Sequence, residues 1–323
     1  MCNSKRLDYI DSVKGILIIL VVLAHGLQMN TTRNSITLSV INSIHMPTFF
    51  ILSGMLFNAE KWHQCGFKSF LQTRVKSLLK PWLAFESLAL LVRFILEISE
   101  FDTITVSNAI STIASLLLNS IPIKLLTNCG ANWFLIALFF AEILLFVITL
   151  LSVKNQIILA TSLAVISTIL DHYLLGVSGI KWIGRTIIAF IFVETGNLLK
   201  PFISSNKKYI YTLLCIVLLC SGINGINDLS VFKIKYITVY ICGGIAGAVL
   251  LLTISRKIGT SFFSTIGQQS LIIMGTHQLV KYFITAKYPS MWEYSFPNLL
   301  LFLLSVALLE CIAIPFFGKF LKK

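Results

Sequence analysis

Val13-Lys14-Gly15-Ile16-Leu17-Ile18-Ile19-Leu20-Val21-Val22-Leu23-Ala24-His25-Gly26-Leu27-Gln28-Met29-Asn30 is an apolar run interrupted by one cation and one imidazole. Its length approaches the roughly 20 residues that an α-helix needs to cross a bilayer. Lys14 and the absence of a small-residue cleavage site after the run mark a retained span rather than a removable leader. Further windows of the same kind follow, giving ten: about 13–30, 38–57, 80–98, 132–152, 156–175, 183–199, 208–226, 234–254, 266–284 and 298–317. The sequence therefore predicts an all-α polytopic membrane protein with about ten transmembrane helices.

Composition agrees. Of 323 residues, 56% are hydrophobic and 12% charged, against a soluble norm of about 25% charged. With a mean hydropathy of +0.87, soluble enzymes, nucleic-acid-binding domains and disordered scaffolds are excluded. The net charge of +13 then reads as basic cytoplasmic loops facing anionic lipid, not as a nucleic-acid footprint. With both termini in the cytoplasm, about twice as many lysines and arginines fall inside as outside. No repeat or linker divides residues 1–323, so a single membrane domain is expected. Its basic cytoplasmic loop is 58–79, where 67–76 suits a short amphipathic surface helix. An outer loop at 99–131 contains a polar-interrupted stretch, 104–122, that reads as interfacial or re-entrant.

An ionisable side chain inside a span costs on the order of 2.5–3.5 kcal/mol, so each one needs a partner or a job. His25, His45 and His277 fall at comparable depths on three different spans and suit one polar chamber. Histidine is the side chain best matched to moving a proton near neutral pH; its plainer alternative is a hydrogen bond between helices. Lys14 and His25 are eleven residues apart, about three turns, so they share a helix face with roughly 16 Å between them. A cation thus stands where an anionic cytoplasmic ligand would approach, with a base deeper on the same wall. Glu86 and Arg93 share a face and suit an ion pair; Asp171 and His172 suit an interfacial pair; Glu142, Glu194 and Glu310 remain open. Ser53-Gly54 suits helix packing better than nucleophilic chemistry. The seven cysteines and the remaining ligand types show no metal-binding spacing, and no metal is expected.

Six segments carry a resemblance. They are Arg6-Leu7-Asp8-Tyr9-Ile10-Asp11-Ser12-Val13-Lys14 leading to His25; His45-Met46-Pro47-Thr48-Phe49-Phe50-Ile51-Leu52-Ser53-Gly54; Arg74-Val75-Lys76-Ser77-Leu78-Leu79-Lys80-Pro81-Trp82; Asn132-Trp133-Phe134-Leu135; Phe192-Val193-Glu194-Thr195-Gly196-Asn197; and Gly267-Gln268-Gln269-Ser270-Leu271 through His277. In this order the chain resembles the integral-membrane acyltransferase 3 family, in its branch of small O-acetyltransferases similar to fucose 4-O-acetylase.

The resemblance implies ten transmembrane helices in a bacterial cytoplasmic membrane. It implies transfer of an acyl group, commonly acetyl from cytoplasmic acetyl-CoA, to a hydroxyl of a surface polysaccharide or lipid-linked carbohydrate. On that footing Lys14, Arg74, Lys76 and Lys80 attract the phosphates of CoA. His25 acts as general base or as transient acyl carrier, and these two routes stay open. His45 and His277 hold the sugar or orient the base. Asp11 anchors Lys14 or its helix, Trp133 stacks on a sugar ring or serves as an interfacial anchor, and Glu194 belongs to the acceptor pocket. Anionic lipids are expected partners, and a homo-oligomer is compatible with this reading. The rival is a transporter or flippase of a polar lipid or sugar that uses the same histidines for proton coupling.

Overall fold

The computed structural model describes residues 8–28, 36–96, 130–173, 178–201, 209–258, 261–288, 290 and 295–321. The stretch 104–122 lies outside the described residues, as do the side chains of Arg93, Asp171 and His172. Among the described residues the chain is nearly all helical and forms no strand, only an isolated bridge between Asp228 and Lys233.

The elements are α1 (Asp8–Leu27), α2 (Ile36–Leu56), α3 (Ala59–Cys65), α4 (Phe67–Arg74), a π turn (Val75–Leu79), α5 (Lys80–Leu96), α6 (Trp133–Ile148), α7 (Val153–Tyr173), α8 (Ser178–Leu199), α9 (Ile210–Asn224), α10 (Ile237–Ile258), α11 (Ser261–Gln268), α12 (Ser270–Lys287) and α13 (Phe296–Leu321). Each apolar window read from the sequence coincides with one of these helices. The window 266–284 differs: the chain breaks at its start, and α11 and α12 meet at Gln268-Gln269. Five described helices are long and apolar enough to cross a membrane, in α1, α2, α8, α10 and α13; α6, α7 and α9 contain shorter apolar helices.

One apolar core runs from Ile10 on α1 to Phe317 on α13. The outward faces are apolar too: Leu219, Leu308, Ile312 and Phe316 are all exposed. A water-soluble surface does not carry such a band, whereas a lipid-facing one does.

Two seams fix the arrangement. A Cβ on Gly15 would strike the Phe263 carbonyl and one on Gly267 the Asp11 carbonyl, so α1 and α11 touch backbone to backbone. In the same way Gly54 meets Val193 and Gly196 meets Ile51, joining α2 to α8. Small residues permit this approach, which is how helices associate where lipid supplies no hydrophobic drive. Gly54 thus serves packing, as its sequence context suggested. The basic loop folds as α3, α4 and the π turn, with Phe70 fully buried against Phe57, Trp62 and Phe146.

Candidate active site

His25 sits in the last turn of α1. An amide nitrogen only donates, so Gln278 Nε2 gives its hydrogen to His25 Nε2 at 3.1 Å, and that ring atom must carry a lone pair. Nδ1 then holds the ring hydrogen and donates it to Gln28 Oε1 at 3.2 Å. The two glutamines together fix both tautomer and ring orientation.

His45 and His277 follow the same rule by another route. A carbonyl only accepts, so His45 Nδ1–H donates to the Ile41 carbonyl at 2.6 Å and His277 Nδ1–H to the Ile273 carbonyl at 2.7 Å. Pro47 lies just beyond His45 in α2, lacks an N–H and leaves the helix one bond short at this level. In all three imidazoles Nε2 is the nitrogen left for chemistry.

A cavity of about 490 Å³ opens beside them. His25 and His45 line it, as do Trp133 and Gln278. His277 does not: it is fully buried behind His25, the ring centroids 5.2 Å apart, and its Nε2 has no hydrogen-bond partner. Two of the three predicted histidines thus form the wall and the third backs it.

The rest of the wall comes from residues that the sequence did not single out. Asn227, Asp228, Leu229 and Ser230 belong to the connector between α9 and α10, and Lys281 and Tyr282 to α12. A loop aspartate among polar neighbours looks like solvated surface, and Gln278 is overshadowed by the histidine beside it. The one available signal was Lys281, a cation within a helical turn of His277.

The remaining predicted residues lie elsewhere. Lys14 is paired with buried Asp11 at 3.7 Å, so Asp11 anchors the lysine and stands far along α1 from the cavity. Arg74 Nε contacts Glu142 Oε2 at 2.8 Å, and its guanidinium lies over the rings of Trp62 and Phe70. Ser53 Oγ donates to the other Glu142 oxygen at 2.5 Å. Lys76 and Lys80 are exposed on the π turn and at the start of α5. Glu194 is buried, does not line the cavity and falls next to the Gly54–Gly196 seam. Glu310 hydrogen-bonds Thr276 at 2.6 Å. Among the described residues no three His, Cys, Asp or Glu side chains gather as a metal site.

A family model described as an acyltransferase domain matches residues 7–317. The chain belongs to the acyltransferase 3 family. No curated protein and no solved structure matches it. An acyltransferase 3 domain is a membrane enzyme that moves acyl groups, and it spans both the His25 cavity and the basic loop. The apolar outer faces and the five long apolar helices accord with that setting.

Proposed function

We propose that this acyltransferase carries acetyl from cytoplasmic acetyl-CoA to a hydroxyl of a surface or lipid-linked carbohydrate in a bacterial cytoplasmic membrane, with both termini inside and the His25 cavity facing out. The observation that carries this reading is His25 itself: a ring nitrogen with a fixed lone pair, on a cavity wall, on the same helix as Lys14. Lys14 is partly exposed and Lys76 and Lys80 are exposed, so cations suited to phosphates are presented at the end of the bundle away from the cavity. Roughly 16 Å of helix separates Lys14 from His25, a distance the extended arm of CoA must cover to bring the thioester to the imidazole.

In direct transfer, His25 Nε2 takes the acceptor's hydroxyl proton as the oxygen bonds to the thioester carbon. The carbon–sulfur bond breaks and CoA leaves as the thiolate, to be reprotonated. The Gln278 amide satisfies the lone pair until the hydroxyl arrives, and Gln28 keeps the opposite ring hydrogen in place. An acyl-histidine route would use the same nitrogen as nucleophile, with the two substrates arriving in turn.

The test is release of CoA thiol by the purified protein supplied with acetyl-CoA and a sugar acceptor. His25→Ala should abolish release while the protein remains monodisperse. Release that persists in His25→Ala removes that residue from the chemistry. No release with any acceptor, combined with sugar movement across vesicles, favours transport instead.

A further inference from the structure

The connector between α9 and α10 is held far more tightly than a turn requires. Asp228 and Lys233 exchange both backbone hydrogen bonds, at 2.9 and 2.8 Å. Asn42 Nδ2 donates to the Asn227 carbonyl at 2.8 Å, and buried Arg185 donates to the Ser230 carbonyl at 2.9 Å. Lower down, Asn224 closes the loop by accepting from the Tyr236 N–H at 2.8 Å. Phe232, at a φ of 53, is driven against Gly184, where no Cβ would fit. A non-glycine residue in that region carries strain that surrounding contacts must sustain.

What this scaffold fixes is one carboxylate. Asp228 Oδ1 accepts from the Ser230 N–H at 2.9 Å and from the Ser230 hydroxyl at 2.5 Å, so one oxygen is held, and the residue lies on the wall of the cavity that His25 and His45 share. His45 and Lys281 line the same cavity. Leaving the histidines aside, the described lining carries one anion, Asp228, and one cation, Lys281, which balance. A described lining with no surplus of positive charge does not favour an anionic ligand. A carboxylate with an oxygen to spare accepts hydrogen bonds from hydroxyls, and Trp133 and Tyr240 add aromatic surface.

We propose that Asp228 is the recognition residue of this chamber and that the acceptor it takes is a neutral hydroxylated ring, bound by its hydroxyls to the carboxylate and lying against the aromatic wall. This deepens the acyl-transfer reading and rests on it for the role of the ring as acceptor. Held from the loop, the ring presents another hydroxyl toward His25.

The experiment is saturation-transfer NMR on the full chain in phospholipid nanodiscs, without donor, using methyl β-D-galactopyranoside and methyl α-L-fucopyranoside against methyl β-D-glucuronide. The neutral glycosides should bind, with the glucuronide at least about tenfold weaker; Asp228→Asn should weaken the neutral ones by about tenfold or more, as losing a hydrogen bond to a charged group does. Asp228→Glu should recover part of the loss. If Asp228→Asn does not fold, Ser230→Ala decides: it keeps the carboxylate, removes one of its two donors, and should weaken binding about threefold or more. Equal or tighter binding of the glucuronide, no binding of a neutral glycoside, or full binding by the deciding variant overturns the proposal. Because binding is read without donor, intact binding here together with no release of CoA thiol once acetyl-CoA is added would sink the acyl-transfer reading alone.

Discussion

The imidazoles of His25 and His277 lie 5.2 Å apart, centroid to centroid, with planes inclined by 36°. Only the first touches the cavity, and the second spends Nδ1–H on its own helix. His277 therefore packs behind His25 without reaching the cavity, and under the proposed mechanism it would act only through that ring.

From this follows a contrast between two substitutions. His277→Phe keeps a flat ring behind His25 and should retain acyl transfer to within several-fold. His277→Ala opens a void beside the base and should cost about 2–4 kcal/mol of stability, as truncating a large buried side chain does. Rates of CoA thiol release and thermal unfolding in detergent measure the pair; a Phe variant as dead as the Ala variant would show that the His277 nitrogen takes part in the chemistry.

Gln278 fixes which nitrogen of His25 is bare. Gln278→Glu replaces a donor by an acceptor, favours a hydrogen on Nε2 and should lower kcat by about a hundredfold, in the range lost when general-base catalysis fails. Gln278→Ala, which only releases the ring, should lose less. Both should leave the KM for the donor nearly unchanged, and steady-state kinetics over donor concentration separate the two effects.

The Arg74–Glu142 pair should behave as structure. Arg74→Ala strands the buried Glu142 carboxylate and should destabilise by about 3–5 kcal/mol; Glu142→Ala leaves the part-exposed Arg74 guanidinium and should cost less. The double replacement Arg74→Met with Glu142→Leu should recover most of it. Gel filtration and thermal unfolding in detergent provide the check.

Lys76 and Lys80 should behave oppositely. Lys76 is exposed, so Lys76→Ala should leave the unfolding temperature in place, and Lys76→Ala with Lys80→Ala should raise the KM for the donor several-fold. The increase should shrink in high salt, because exposed charges separated by more than about 8–10 Å are largely screened at physiological ionic strength.

The sequence displayed what hydrocarbon makes conspicuous. His25 and His45 stood out because an imidazole in an apolar run is costly, and the cavity joins them. What it hid was pairing at a distance and polarity in unremarkable places. Arg74 resembled a ligand for phosphate because Glu142, its partner, is far away along the chain. Asp228 sat in a short polar connector where an aspartate attracts no notice, and only the hydrogen bonds to Ser230 and Lys233 reveal how firmly it is placed. Glu194 was placed in the acceptor pocket by the resemblance, which does not say on which side of its helix a cavity lies.

The two glycine seams both fall toward the Lys14 end, and near the histidines glycines meet side chains instead: Gly244 rests on Pro47, and Gly26 on Leu299 and Phe302. Main chain therefore meets main chain between these helix pairs at the Lys14 end, whereas near the histidines rings and branched carbons stand between the helices. On the proposed reading, a donor arm that enters from the Lys14 end passes beside those two contacts and not through them, along the flanks of α1 and α2 that face away from α11 and α8.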